Sequence, residues 1–494
     1  MSDEPLQPTE SELPAGAALA PGAGPSVGRD EWVARSGTRR EYASGWRGEL
    51  QRRAELVGWW PRLALAGIVG FIVPFLLSND FQMQVGINAM LLALLAVGLN
   101  VAVGWAGLLD LGYIAFYGFG AYGYALLSSN QLSAAGIHLP AELSIPIVMV
   151  AAAVLGLLVG LPSRRLLGDY LAIVTLFFGE AFVEFTNNVA PSKLGGPNGI
   201  FGIDAMHGFS GQIIKNVGYY YVLLIMLVVT LAVLHRLDTS RMGRAWRAVR
   251  EDPLAATMMT IPVNRVKLMA FSFGAVVAAM AGTVFAAQQV SVFPSDFDTP
   301  FLILIYAGLI LGGAGSMAGA VVGGLVVGVT LDGFLRSSTE AGYIFYGLIL
   351  LTLVVKLRPW RKLAAVLGGT AVLGLILHAV VQAISNAAVS GGPQSTGFIA
   401  TALHNWVIVP ANPKTPGNIG FIVLVCLLVA LVQVRGRWRT ILLVPTLYLA
   451  ACVWEGRLVA EPSITRQILL GAILIVMMNA RPQGLLGSRR VEVV

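Results

Sequence analysis

The feature that most constrains this chain is a succession of apolar runs, each roughly 15 to 22 residues long, the length that crosses about 30 Å of hydrocarbon as helix. They centre near residues 69, 95, 118, 152, 177, 225, 278, 307, 325 and 349, and four more follow near 373, 426, 447 and 472. A stretch from Phe398 to Val409 is too short to add to them. Only 12% of the residues are charged, about half the share in an ordinary soluble domain. So many separate apolar segments cannot fold into one water-facing core. The predicted fold is all-α, a polytopic transmembrane helical bundle of about fourteen spans.

The formal net charge is +7, but the basic residues sit between apolar runs, which speaks of membrane topology and against a nucleic acid partner. Residues 1–55 are rich in Pro, Gly, Ala, Ser and charge and hold no apolar run of the signal-peptide kind. They read as a disordered tail. Arg29, Arg35, Arg39, Arg40, Arg47, Arg52 and Arg53 place it on the cytoplasmic side. Parity then puts inside the loops near Ala106, at Arg164 and Arg165, and from His235 to Lys267 with its seven basic residues. Lys356, Arg358, Arg361 and Lys362 fall inside, as do Arg435, Arg437, Arg439, Arg481, Arg489 and Arg490, so both termini are expected in the cytoplasm. Ser78 to Gln84, Ser128 to Glu142 and Asn187 to Asn216 read as external. Arg336, Arg457 and Arg466 are exceptions to the pattern.

Several chemistries lack their residues. Cys426 and Cys452 lie in apolar runs without redox or ligand spacing. The five histidines, at 138, 207, 235, 378 and 404, are scattered, so no metal site is expected. No phosphate loop of the form Gly-x-x-x-x-Gly-Lys-Ser/Thr occurs, so ATP cannot be hydrolysed by these residues alone. A membrane-embedded enzyme would need a clustered nucleophile, base or ligand set, and none is legible. Gly315, Gly319 and Gly323 give a small-residue helix face that suits close packing, or a moving gate.

The most informative stretch is polar. From Arg241 to Ala256 the sequence is too charged to span, with Arg241, Arg244, Arg247 and Arg250 recurring every third residue on one helical side and Trp246 and Val249 on another. Asp252 before Pro253 reads as an N-cap and first helical position, starting a second short helix that presents Ala255 and Ala256. Spacing alone leaves two roles open: a platform for another protein, or arginines meeting anionic lipid headgroups.

The run from Gly243 to Leu268 resembles the cytoplasmic coupling loop of branched-chain amino acid ABC transporter permeases of the LivM type, in which an Ala-Ala pair follows an Arg-Glu-Asp group. Thr257 and Thr260 depart from the Glu and Gly frequent there. Other blocks agree in order: Gly104 to Tyr113 continuing to Tyr122, Gly168 to Leu176, Gly195 to Ile200, and the ending Arg481 to Gly487. The resemblance implies a type II ABC importer-like core of about ten spans. It assigns ATPase coupling to Arg250, Glu251, Asp252, Ala255 and Ala256, with Arg244 and Arg247 beside them on the same elbow. The implied partners are ABC ATPase subunits that use the ATP, a second homologous permease subunit, an extracytoplasmic solute-binding protein and the lipid bilayer of a bacterial cytoplasmic membrane. No cofactor is expected on this chain itself. The implied division is a tail over 1–55, a permease core over 56–360 with its coupling loop at 236–267, inserted spans over 361–461, and a last span with the C-terminus over 462–494. Val354 to Arg361 itself looks like a family ending.

Charge within a span is costly, about 2.5 to 3.5 kcal/mol on insertion scales, so Asp110, Glu180 and Glu184 are substrate-path candidates. Glu180 and Glu184 lie one turn apart, suited to an ammonium group or to a watery bundle end. Asp110 sits between Gly107 and Gly112, where a broken helix would expose backbone dipoles. Tyr113 and Tyr117 add hydroxyls to such a path, or anchor span ends. The turn Gly195, Gly196, Pro197, Asn198 and Gly199 is a candidate contact for the binding protein. A proton-coupled carrier using the same carboxylates is the competing reading, and permeases for urea or short amides are the competing substrate branch.

Overall fold

The computed structural model describes residues 58–77, 79–129, 138–162, 169–208, 211–213, 215–334, 338–357, 360–386, 389–391, 403–412, 414–434, 436–458, 467–468, 471–472, 474–475, 477–478 and 484–486. The expected tail over 1–55, the loop with Arg164 and Arg165, and the terminal Arg481, Arg489 and Arg490 lie outside them. Backbone contacts divide the chain into Met1–Leu65 and Ala66–Val494. In the first unit the described residues open helix α1 (Trp59–Leu76), where Trp59 and Trp60 meet edge to face. Everything below concerns the second.

Its helices are α2 (Asp80–Leu99), α3 (Tyr113–Ser128), α4 (Ala141–Gly160), α5 (Asp169–Asn188) and α6 (Asn216–Thr239). Two short helices follow, α7 (Arg241–Glu251) and α8 (Pro253–Met258), then α9 (Val263–Gln289), α10 (Thr299–Gly312) and α11 (Met317–Gly328). The last four are α12 (Ser338–Lys356), α13 (Trp360–Ile384), α14 (Lys414–Gln433) and α15 (Arg437–Val453). Helical backbone recurs at 467–468, 471–472, 474–475 and 477–478, a closing segment. Each of the fourteen expected span centres falls in helical backbone. Among the described residues, eight helices have the length and apolarity of a membrane span, and three shorter apolar helices accompany them.

The core sits on α2, α3 and α9. Helix α2 is buried nearly all round, from Val85 through Leu99, which marks it as a central helix rather than a lipid-facing one. Glycines bring α9 and α3 into backbone contact: a Cβ at Gly120 would lie 2.2 Å from the Ala279 carbonyl oxygen, and one at Gly282 would lie 2.1 Å from that of Tyr117. In the same way α11 lies on α2, where a Cβ at Gly324 would stand 2.4 Å from the Ala93 Cα. Small residues thus set the helix separation, as bare backbone does in membrane bundles. Of the glycine face read from the sequence, Gly319 and Gly323 lie against Gly312 and Gly308 of α10, which is close helix packing.

At the end opposite α7 and α8, strand β1 (Ile200–Phe201) pairs antiparallel with a strand at Ser291–Val292. This ties the Asn187 to Asn216 loop to the end of α9. The central apolar cluster runs from Met83 to Leu331 and is joined by Leu474, Met477 and Leu485 of the C-terminal stretch. Among the described residues, none of α12, α13, α14 or α15 belongs to it. Those helices hold one another instead, with Phe345 of α12 stacked on Trp454 at 4.1 Å and Tyr346 donating to Glu455 at 3.2 Å.

Candidate functional site: the polar elbow and its anchor

The elbow begins where Ser240 caps α7 by accepting a hydrogen bond from the Met242 N–H at 3.1 Å. Gly243 is forced by crowding, since a Cβ there would stand 2.2 Å from the Asp238 carbonyl oxygen. Trp246 and Val249 are buried, and the Trp246 indole donates to the Val266 carbonyl at 2.9 Å, fastening α7 to the start of α9. Asp252 ends α7 and caps α8: its Oδ1 accepts from the N–H groups of Leu254 at 2.8 Å and Ala255 at 3.1 Å, with Pro253 at the first helical position. The predicted cap and break are therefore present.

The arginines separate into two roles. Arg244 donates to the Thr239 carbonyl, and Arg247 donates to both the Asp238 carboxylate and the Asp238 carbonyl, at 3.0 and 3.1 Å. They satisfy carbonyls left free at the end of α6, where cations are favoured. Arg250 departs from the expectation that the four arginines share one helical side. It is half-buried and turns inward, donating to the Gly104 carbonyl at the end of a π-helical turn, Asn100–Trp105, that continues α2. The reason is geometric: a buried carbonyl at a helix end needs a donor, and a long guanidinium side chain reaches it. Gly107, at φ +70°, lets the chain pass this side chain, since a Cβ there would meet the Arg250 Cγ at 2.8 Å.

The same anchor holds the turn between α10 and α11. Asn100 Oδ1 accepts from the Gly315 N–H at 2.7 Å, the Trp105 indole donates to the Gly315 carbonyl at 3.3 Å, and Trp105 stacks on Trp246 at 5.9 Å. The C-terminal stretch lands beside it, where the N–H groups of Leu485 and Leu486 donate to the Leu311 and Gly312 carbonyls. The elbow is thus bonded to the π-helical end of α2 and to α9, and the α10–α11 turn is bonded to the same π-helical end through Asn100 and Trp105. Asn100 escaped the sequence reading, although a polar Asn within an apolar run was the available signal, and Trp105 entered it only within the Gly104 to Tyr113 block, with no role of its own.

On its other side the elbow is bare. Leu254 is 77% exposed, Met258 83% and Met259 77%. Glu251 and Asp252 are exposed next to them. Ala255 is exposed but Ala256 is buried, so the pair does not present together as expected; consecutive helical residues point about 100° apart.

The substrate-path candidates are not brought together. Asp110 is buried and spends its carboxylate on the Gly112 N–H at 3.0 Å, while its carbonyl accepts from the Tyr306 hydroxyl at 2.7 Å. It holds the irregular entry to α3. Tyr113 is fully buried with its hydroxyl unpartnered, and Tyr117 is buried among Phe285, Phe297 and Phe301, so neither anchors a span end. Glu180 and Glu184 lie on the exposed face of α5, the first accepting from the Thr299 hydroxyl, the second from the Asn188 amide at 2.6 Å. In the Gly195 to Gly199 turn, Pro197 and Asn198 are exposed and Gly196 and Gly199 are buried. Gly199, at φ +74°, touches the backbone of Val292.

With this geometry established, comparison with known proteins is decisive. The family described as branched-chain amino acid transport system / permease component matches residues 82–355. The chain belongs to this permease family. The high-affinity branched-chain amino acid transport system permease protein LivM of Escherichia coli (strain K12) is 35% identical over 312 residues, covering 58% of this chain and 70% of the relative. LivM of Salmonella typhimurium is 33% identical over 318 residues, covering 60% and 72%. The permease protein LivH of the same organism is 30% identical over 199 residues, covering 39% and 63%. No solved structure matches the chain. The matched stretch takes in the elbow, Arg250, the π-helical turn and the α10–α11 turn.

Proposed function

We propose that this permease is the membrane-spanning subunit of an ATP-driven importer that carries branched-chain amino acids, or closely related small polar amino acids, across a bacterial cytoplasmic membrane. The observation that carries the reading is the two-sided elbow. One side offers exposed Leu254, Met258 and Met259 on a short capped helix, and the other sinks Arg250 and Trp246 into the bundle. Exposed apolar residues rimmed by Glu251 and Asp252 suit a protein partner, as contiguous apolar patches do. The partner is an ATPase subunit, which supplies the ATP chemistry. Glu251, Asp252 and Ala255 form the docking surface with Ala256 buried beneath it, Arg244 and Arg247 brace it on α6, and Arg250 relays its movement to the π-helical end of α2.

The elbow end faces the cytoplasm together with both termini, in keeping with its density of arginine. At the other end, the exposed Pro197 and Asn198 of the Gly195 to Gly199 turn receive an extracytoplasmic solute-binding protein. Glu180 and Glu184 on the open face of α5 look toward a second, homologous permease and the shared path, because carboxylates on a span do not face lipid. The test is reconstitution in proteoliposomes. Leucine uptake is expected only with ATP, the ATPase subunits and the binding protein. Uptake by this chain alone, driven by a proton gradient, would overturn the reading in favour of a carrier.

A further inference from the structure

We infer that a cavity between α2, α9, α10 and the π-helical end of α11 is a waystation for an amino-acid zwitterion with an apolar side chain. The inference rests on the importer reading above and gives its path a binding site. The cavity measures about 350 Å³ and is lined by Asn88, Tyr117, Phe301, Leu304, Asp332 and Gln467 among others. Its volume lies in the range of small-molecule sites, which run from about 300 to 1,000 Å³.

Its chemistry is divided as such a ligand requires. Asp332 stands in the π-helical turn Val329–Phe334, a single-turn irregularity of the kind often found at functional sites. Among the described residues it makes no ion pair; its Oδ2 accepts from the Asn88 amide at 2.8 Å. Asn88 is itself oriented by Gln84 at 3.3 Å, and Gln84 accepts from Gln288 at 2.8 Å. This chain of amides fixes one carboxylate oxygen and leaves the other open to an ammonium group. A buried oxygen of Gln288, the Oε1, has no partner among the described residues, so the far end of the relay retains acceptor capacity. A carboxylate within a bundle, aimed by a dedicated amide and unmatched by a described cation, needs a reason to be there.

The opposite requirements are also present. Gln289 and Gln467 bring side-chain amides to the cavity rim, donors suited to a ligand carboxylate. Tyr117 and Phe301, stacked at 5.7 Å, form an aromatic wall with Phe285, and Leu91, Leu92, Leu304 and Leu331 complete an aliphatic surface. A free carboxylate, amide donors and an apolar wall within one cavity match the three parts of leucine, valine or isoleucine. Urea and short amides carry no cation to match Asp332.

The test uses the full chain in nanodiscs with radiolabelled L-leucine, and in parallel the complete ATP-driven complex in proteoliposomes. Asp332→Asn removes the charge while keeping the shape, and is expected to weaken leucine binding by about tenfold or more, the size of a lost charge-assisted hydrogen bond. Leu304→Trp fills the cavity without touching Asp332 and is expected to abolish binding. It also serves as the check should Asp332→Asn fail to fold. 3-Methylbutylamine, which keeps the ammonium, should compete better than 4-methylpentanoate, which lacks it. Wild-type leucine binding and uptake that are unchanged in both variants would overturn the cavity and leave the importer reading standing. Binding lost in the variants, with no ATP-driven leucine uptake by the wild-type complex, would support the cavity and overturn that reading. No binding to the wild-type chain would overturn the cavity whatever the complex transports.

Discussion

At the scale of single residues, Arg250 carries the most mechanism. A guanidinium on a surface helix ordinarily gains little from an exposed contact, yet this one reaches a helix-end carbonyl inside the bundle at Gly104, beside a turn held by Asn100 and Trp105. Hydrogen bonds from charged groups contribute about 1.5 to 3 kcal/mol. If movement of the elbow reaches the helices through this bond, Arg250→Ala removes the relay but leaves the docking side intact. ATP hydrolysis by the complex should then persist near its normal rate while leucine uptake falls by about tenfold; paired hydrolysis and uptake assays read the split. Arg250→Lys keeps the charge but not the planar reach, and should recover only part of the coupling. Loss of both activities together would show instead that Arg250 holds the fold of the elbow.

At the scale of elements, the decisive unit is α8, six residues long and far too short to hold itself. Its order comes from Pro253 at the first position and from Asp252, whose carboxylate accepts two backbone N–H groups. Removing such a cap costs about 1 kcal/mol, a large share for a single-turn helix. Asp252→Ala should therefore weaken assembly with the ATPase several-fold without unfolding the bundle, since α7 keeps its own cap at Ser240 and its Trp246 anchor. Co-purification of the ATPase subunits against an unchanged Tm measures it. This cap was legible in the sequence because Asp-Pro after a polar helix is a local signal with a local cause. The inward turn of Arg250 was not, because the carbonyl that draws it lies 146 positions away along the chain. The same limit separates Asp332 from Asn88, which meet across 244 positions. Span centres, by contrast, follow from apolar length alone, and each was found in helix.

At the scale of the whole molecule, the question is what α13 to α15 add to a bundle whose central apolar cluster includes none of their described residues. The central cluster ends at Leu331 and resumes with Leu474, Met477 and Leu485. Asp332 and Gln467 line one cavity, so the chain leaves the core and returns to it at nearly the same place. Four helices lie between these points. The Gly484 to Leu486 stretch then meets α10 at Leu311 and Gly312 beside the elbow. The sequence reading, drawn from apolar runs and a family-like ending near Val354 to Arg361, began the added segment at 361. That boundary leaves α12 with the core, as does the family match, which runs to residue 355. Excising 361–461 and bridging with Gly and Ser residues should leave a chain that folds, extracts from membrane as wild type does and retains ATP-driven leucine uptake. Excising 338–461, which also removes α12, should yield a chain that aggregates on extraction. Size-exclusion profiles of the two deletions in detergent separate the alternatives. If the longer deletion alone behaves, α12 belongs with the added helices and the boundary at 361 is wrong.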